Sequence, residues 1–249
     1  MSTTTGASVT HDSFLNGAVT VIQHAKGYRA GMDAVLLAAS LSEAKGESLA
    51  EAGCGAGAAL LCAAHRLSGS AFTGFERDGA SAALAHEGVI ANRVEARVTI
   101  RDHDVALRPA DLENRFAQTF SNPPFFDPAA VRAPAEGREA AYLADTPLKA
   151  WVLFLHHVTH PGGHITMIHR AAALADLLEI LNPRMGEIEI LPIRPAPGAP
   201  AHRILVRARK GLRRGPVTLY DGLALHEAAG GPFTNRAAAC FDGGALEWR

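Results

Sequence analysis

From Leu49 onward the chain alternates β-rich runs with apolar helical runs, and nothing else in it narrows the possible folds as much. The runs 49–52, 71–76, 98–101, 116–121, 164–168, 187–193 and 203–208 read as strands. The runs 58–67, 79–92, 148–159 and 171–181 read as helices between them. A helix between two strands returns the chain to start the next strand in the same direction, so this order implies a mostly parallel sheet covered on both faces. The Pro- and Gly-containing stretch 195–200 is too short for a crossover helix, so the last two strands are expected to pair antiparallel. Ahead of the alternation, Asn16-Gly17 marks a hairpin turn within 14–23, and the Ala/Leu-rich run 32–41 reads as a helix. The expected fold is α/β: a seven-stranded sheet ending in an antiparallel hairpin, preceded by an N-terminal β-hairpin and helix. It forms one domain over 13–249 after a disordered tail at 1–12.

Bulk composition sets limits. With 48% hydrophobic residues, a chain of 249 can bury a substantial core, and a net charge of −1 gives no global field for nucleic acid. No apolar run approaches the roughly 20 residues that span a bilayer, and the small, polar N-terminus lacks the features of a signal peptide. A cytoplasmic protein is expected. Cys54, Cys62 and Cys240 are odd in number and lack metal-ligand spacing, so they read as reduced structural thiols.

Two motifs carry chemistry. The first is Glu51-Ala-Gly-Cys-Gly-Ala-Gly57, directly after the first main strand. Gly53, Gly55 and Gly57 permit a tight turn and close backbone approach to a ligand, and the helix that follows offers free N–H groups to an anion. Such a turn serves an adenosyl cofactor, a nucleotide pyrophosphate, or no ligand at all. Glu76 ends the next strand, where a carboxylate can accept both ribose hydroxyls. Asp104, with Asp102 as competitor, follows the third strand and could accept an adenine amine; Glu51 could accept from an ammonium group or cap a turn.

The second motif is Asn122-Pro123-Pro124-Phe125, after the fourth strand. The Asn122 side-chain oxygen can accept one N–H of a planar amine. The Pro123 carbonyl, on a residue of fixed φ, can accept the other, and the Phe125 ring can lie against the flat face. The same four residues could instead be a strand-ending turn with Phe125 in the core. The stretch 127–138 reads as a flexible loop suited to a substrate lid.

The order of these motifs resembles the class I, Rossmann-like methyltransferases that act on amino nitrogens. The segment 27–38, the run Arg138-Glu139-Ala140-Ala141-Tyr142 and the run Ala201-His202-Arg203-Ile204-Leu205-Val206 resemble the tRNA1(Val) adenine-N6 methyltransferase family. The likeness covers about 13–235. It implies S-adenosylmethionine as cofactor, held by Glu51, Gly53, Gly55 and Gly57, with Glu76 on the ribose, Asp104 on the adenine and Asp33 near the methionine end. It further implies that Asn122, Pro123 and Phe125 hold the target base, with Asn122 also facing the cofactor. The pattern departs from the family at Ala117, where an acid is usual, and at Glu51, where Asp is usual.

A methyltransferase of this kind would act on an adenine in tRNA. Guanine N2 in ribosomal RNA, a protein glutamine, or a catalytically inactive RNA-binding module are the rival readings. From Arg194 to Arg214 there are seven Lys or Arg and no acid, so Arg203, Arg207, Arg209, Lys210, Arg213 and Arg214 are expected to contact RNA, joined by Arg132 and Arg138. His156, His157, His160, His164 and His169 fit no compact ligand set, and no metal is expected.

Overall fold

A computed structural model describes residues 8–27, 29–43, 45–124, 146–212 and 215–249. The main alternation runs β3 (Ser48–Ala52), α2 (Ala58–Arg66), β4 (Ala71–Glu76), α3 (Gly79–Ala91), β5 (Val98–Asp102) and β6 (Phe116–Ser121). It continues with α4 (Leu148–Val158), β7 (Thr159–Arg170), α5 (Leu174–Leu181), β8 (Met185–Arg194) and β9 (Arg203–Lys210). β7 is much longer than its expected run because Thr159 follows α4 directly and the strand carries Pro161-Gly162-Gly163 within it.

The sheet has nine strands among the described residues, not seven. The two extra are the short β10 (Thr218–Leu219) and β11 (Leu223–Ala224), both parallel to β8. Two-residue strands lack the alternation that would reveal them in sequence. The order is β10-β8-β9-β7-β6-β3-β4-β5. β3 pairs in parallel with both β4 and β6, so the chain winds outward through β4 and β5, then crosses back to the other side of β3. That reversal puts the switch point, and the crevice that accompanies it, between the C-terminal ends of β3 and β6. β9 lies antiparallel between β7 and β8, which bears out the expected C-terminal hairpin.

Alternation along each strand splits the core between the two faces. Leu49 and Leu205 face α1 (Met32–Ala39), α2 and α3, whereas Ala50, Ile204 and Val206 face α4 and α5. The expected N-terminal hairpin is present as β1 (Val9–Phe14) and β2 (Val19–His24). β1 starts at Val9, so the last four residues of the stretch read as a disordered tail are strand, paired onward from Val9↔His24. Asp12 of β1 accepts hydrogen bonds from Gln23 (2.7 Å), Arg29 (2.6 Å) and Thr10 (3.0 Å), and Gln23 accepts the Ala30 N–H. The hairpin thereby fixes the chain leading into α1. A last helix, α6 (Asn235–Phe241), starts with Thr234 accepting from the Ala237 N–H. The segment after β11 carries α1's C-terminal carbonyls: the Leu246 N–H donates to Ala39 O and Trp248 Nε1 to Ser40 O.

Candidate active site at the sheet switch point

Ser121 is the last residue of β6, and its hydroxyl donates to the carbonyl of Ala52, the last residue of β3, at 2.8 Å. Gly53 and Asn122 each follow directly. The glycine turn and the Asn-Pro-Pro motif, far apart in sequence, therefore leave adjacent strands side by side.

The turn depends on its glycines. Gly53, Gly55 and Gly57 all have left-handed φ, at 66°, 55° and 84°, a region costly for residues with a Cβ. A Cβ on Gly53 would come within 2.4 Å of the Trp151 ring, which α4 packs against the turn. A Cβ on Gly55 would meet nothing within 4 Å, so the turn borders open space at that residue. The Cys54 N–H donates to Phe75 O (3.0 Å) and the Gly57 N–H to Cys54 O (2.8 Å), holding the turn against β4 and leading it into α2.

Three carboxylates surround this turn. Glu76, 6% exposed, accepts the Gly55 N–H (2.8 Å) through one oxygen and the Asp78 N–H (2.8 Å) through the other. The Arg77 N–H is a third donor, so about one of the carboxylate's four lone-pair sites stays open. Burial lifts the Glu76 carboxyl above its ordinary range, outweighing those two N–H groups and that of Arg77. Glu51, 2% exposed, is in a harsher setting: burial drives it well above the usual carboxylate value, the Leu60 N–H opposes the rise, and the nearby Glu76 charge adds to it. Glu51 Oε2 is buried with no hydrogen-bond donor among the described residues. Asp104 accepts from the Ala106 N–H (2.9 Å) and from Arg77 (2.9 Å). Burial alone would raise its carboxyl; these donors outweigh it and hold the group below the ordinary value. Asp102, its competitor in sequence, ends β5 exposed to solvent.

Asp33, in the first turn of α1, forms an ion pair at 2.8 Å with Arg203 of β9. Two residues assigned from sequence to different partners are thus in contact with each other. Asn122 is half-buried and Pro123 buried at the end of β6. Phe125, Arg132, Arg138, Arg213 and Arg214 lie outside the described residues, as do Tyr28, Tyr142 and the stretch read as a lid.

Along β9 the basic side chains have partners within the fold. Arg207 pairs with Glu189 (2.7 Å) and stacks over Trp248, and Arg209 donates to Gly162 O (2.9 Å) and pairs with Glu187 (3.3 Å). Lys210 donates to Asn114 Oδ1, His156 O and Thr159 O. The acids missing from the run itself are supplied by β8, the antiparallel neighbour, a compensation that sequence order hides. Direction matters as well. Arg209 is level with His164, which is level with Gln118, four residues before Asn122. At the rise of a strand, that is about 13 Å toward the opposite end of the sheet. Sequence reading also missed Trp151 and Arg77, whose contacts with Gly53 and Asp104 are long-range and leave no local signal.

Among the described residues no group of three His, Cys, Asp or Glu is arranged around a metal position, and no helix is long and apolar enough to cross a membrane.

Comparison with known proteins agrees with this geometry. Residues 29–138 match the family model described as a methyltransferase small domain. A solved structure from Agrobacterium tumefaciens, described as a predicted O-methyltransferase, superposes with a TM-score of 0.72 at 28% identity, over 87% of this chain and 99% of that one. The chain is a class I, S-adenosylmethionine-dependent methyltransferase. The methyltransferase is 25% identical over 186 residues to the tRNA1(Val) (adenine(37)-N6)-methyltransferase of Dickeya chrysanthemi, covering 74% of this chain and 73% of the relative. It is also 25% identical over 205 residues to the enzyme of the same name from Yersinia pestis, covering 81% of each.

Proposed function

We propose that this methyltransferase transfers a methyl group to the exocyclic N6 amine of an adenine in tRNA. The observation that carries the reading is the Ser121–Ala52 hydrogen bond, because it sets Asn122 beside the glycine turn at the switch point. The tRNA adenine-N6 enzymes among its relatives support the choice of acceptor.

The turn fits an adenosyl cofactor on two counts: the open space at Gly55, and the buried Glu51 oxygen that lacks a donor among the described residues. Gly53, Gly55 and Gly57 would hold the cofactor by close backbone approach. The remaining lone pair of Glu76 would accept from its ribose, Asp104 would face its adenine, and Glu51 Oε2 and Asp33 would face its ammonium group. When bound, S-adenosylmethionine supplies an electrophilic methyl on a positively charged sulfur.

The chain's own residues then solve a problem of nucleophilicity. An aromatic amine delocalises its lone pair into the ring. The Asn122 side-chain oxygen and the Pro123 carbonyl would each accept one N–H, turning both bonds out of the ring plane and aiming the lone pair at the methyl. The same oxygens would stabilise the positive charge that develops on nitrogen. No side-chain base is needed, because the methylated ammonium is acidic enough to lose its proton to water. Phe125 would stack on the base, standing in for the neighbouring bases that a nucleotide leaves behind when it turns out of its helix.

The test is label transfer from methyl-tritiated S-adenosylmethionine to total RNA and to total protein, with the tRNA and ribosomal RNA fractions then digested to nucleosides. Label in N6-methyladenosine is expected. Label in N2-methylguanosine, or in protein, would replace this reading with one of the rivals.

A further inference from the structure

The Asp33–Arg203 ion pair joins positions 170 residues apart, and its place in the fold gives it a role beyond holding elements together. α1 and α2 run side by side in the same direction: Arg66, at the end of α2, donates to Ala38 O and Leu41 O at the end of α1. Their first turns therefore stand at the same end, which puts Asp33 on the rim that carries the glycine turn preceding α2. Arg203 opens β9 level with Arg170, the last residue of β7, on the same rim as Asn122. The pair bridges that rim. Arg203 Nε reaches Asp33 Oδ2, while Oδ1 takes no hydrogen bond from a described residue.

We propose that Arg203 is a positioning residue for the sulfonium cofactor: it fixes the Asp33 carboxylate so that Oδ1 faces the ammonium group of the bound cofactor, instead of contacting an RNA phosphate. The charges of the pair cancel, so its contribution is direction more than long-range attraction. A carboxylate already held in one orientation loses less rotamer freedom when a ligand arrives. Nε is committed to Asp33 and Nη1 to the His202 carbonyl at 3.3 Å, so the guanidinium is anchored within the fold. The proposal rests on use of the sulfonium cofactor and not on the identity of the methyl acceptor.

The experiment is titration calorimetry with S-adenosylhomocysteine, together with melting curves and tRNA binding. Asp33→Asn and Arg203→Ala should each weaken S-adenosylhomocysteine by about tenfold, and the double variant should be no more than about twofold worse than the weaker single one. Arg203→Lys, which keeps the charge but not the guanidinium geometry, should fall between the unaltered protein and Arg203→Ala, and it carries the test if the alanine variant folds poorly. The charge swap Asp33→Arg with Arg203→Asp should recover the melting temperature without recovering affinity. Recovery of both would make the pair a structural strut and overturn the proposal. So would unchanged S-adenosylhomocysteine affinity in Arg203→Ala alongside a tRNA salt slope shallower by about one, the mark of a missing phosphate partner. Failure of the unaltered protein to bind S-adenosylhomocysteine would instead refute the cofactor site itself, and both readings with it.

Discussion

The two ends of the central sheet treat their polar groups in opposite ways. At the end where β7 begins and β9 finishes, charge is consumed internally: Lys210 serves three acceptors, Arg209 finds Glu187 and a carbonyl, and Arg207 finds Glu189. At the switch-point end, capacity is left over. Glu51 keeps a buried oxygen without a donor among the described residues, Glu76 keeps one lone pair open beyond its three N–H donors, and the turn borders empty space at Gly55. Burying an unpaired polar group destabilises a fold, so its persistence beside a crevice points to a ligand that completes it. Counts of charged residues point to one end of the sheet; spare hydrogen-bonding capacity points to the other.

The contrast can be broken most forcefully at Asn122. Asn122→Ala should lower kcat by about 10²–10³, the loss typical when one preorganised polar group is removed, while S-adenosylhomocysteine affinity stays within about twofold. Single-turnover methylation and calorimetry would measure the two effects; normal turnover would remove the amine grip from the mechanism.

At the opposite end the expected effect is on stability instead of activity. Lys210→Met strips a donor from two backbone carbonyls and should lower unfolding free energy by about 1 kcal/mol in urea melts. Its affinity for tRNA and the salt dependence of that affinity should be unchanged. A weaker, less salt-sensitive complex would return Lys210 to the RNA surface.

The smallest shift is expected at Glu51, and its sign depends on pH. The carboxyl is raised well above its unfolded value, so the folded protein holds a proton that the unfolded chain releases. That contribution is fully present below the ordinary carboxylate value and is lost as pH rises toward the folded value. Glu51→Gln should therefore stabilise the ligand-free protein at neutral pH, raising Tm by about 2–4 °C for each kcal/mol relieved, and the gain should fade near pH 4. The same variant should bind S-adenosylhomocysteine more weakly. An equal Tm gain at pH 4 and pH 7 would mean that Glu51 is not strained by burial.

What could be read from sequence divides along physical lines. The parallel core was legible because each element carries its own period: 71–76 and 116–121 match β4 and β6 residue for residue. The glycine turn was legible because three positive-φ positions demand the same residue type. Partnerships between distant segments were not. Asp33 gives no local sign that it will meet Arg203, and β9 looks uncompensated until β8 is laid beside it. The extra strands β10 and β11 are too short to show a period, and α6 follows a glycine-rich stretch with little helical signal.

The way Trp248 closes over α1 also bears on how the chain is made. Its indole reaches the carbonyl of Ser40, 208 positions earlier. At ribosomal speeds of roughly 5–20 residues per second, that separation is about 10–40 s of translation. Throughout that interval Arg66 can already serve the Ala38 and Leu41 carbonyls, but those of Ala39 and Ser40 wait, so during biosynthesis this helix end depends on solvent, or on a chaperone, for cover.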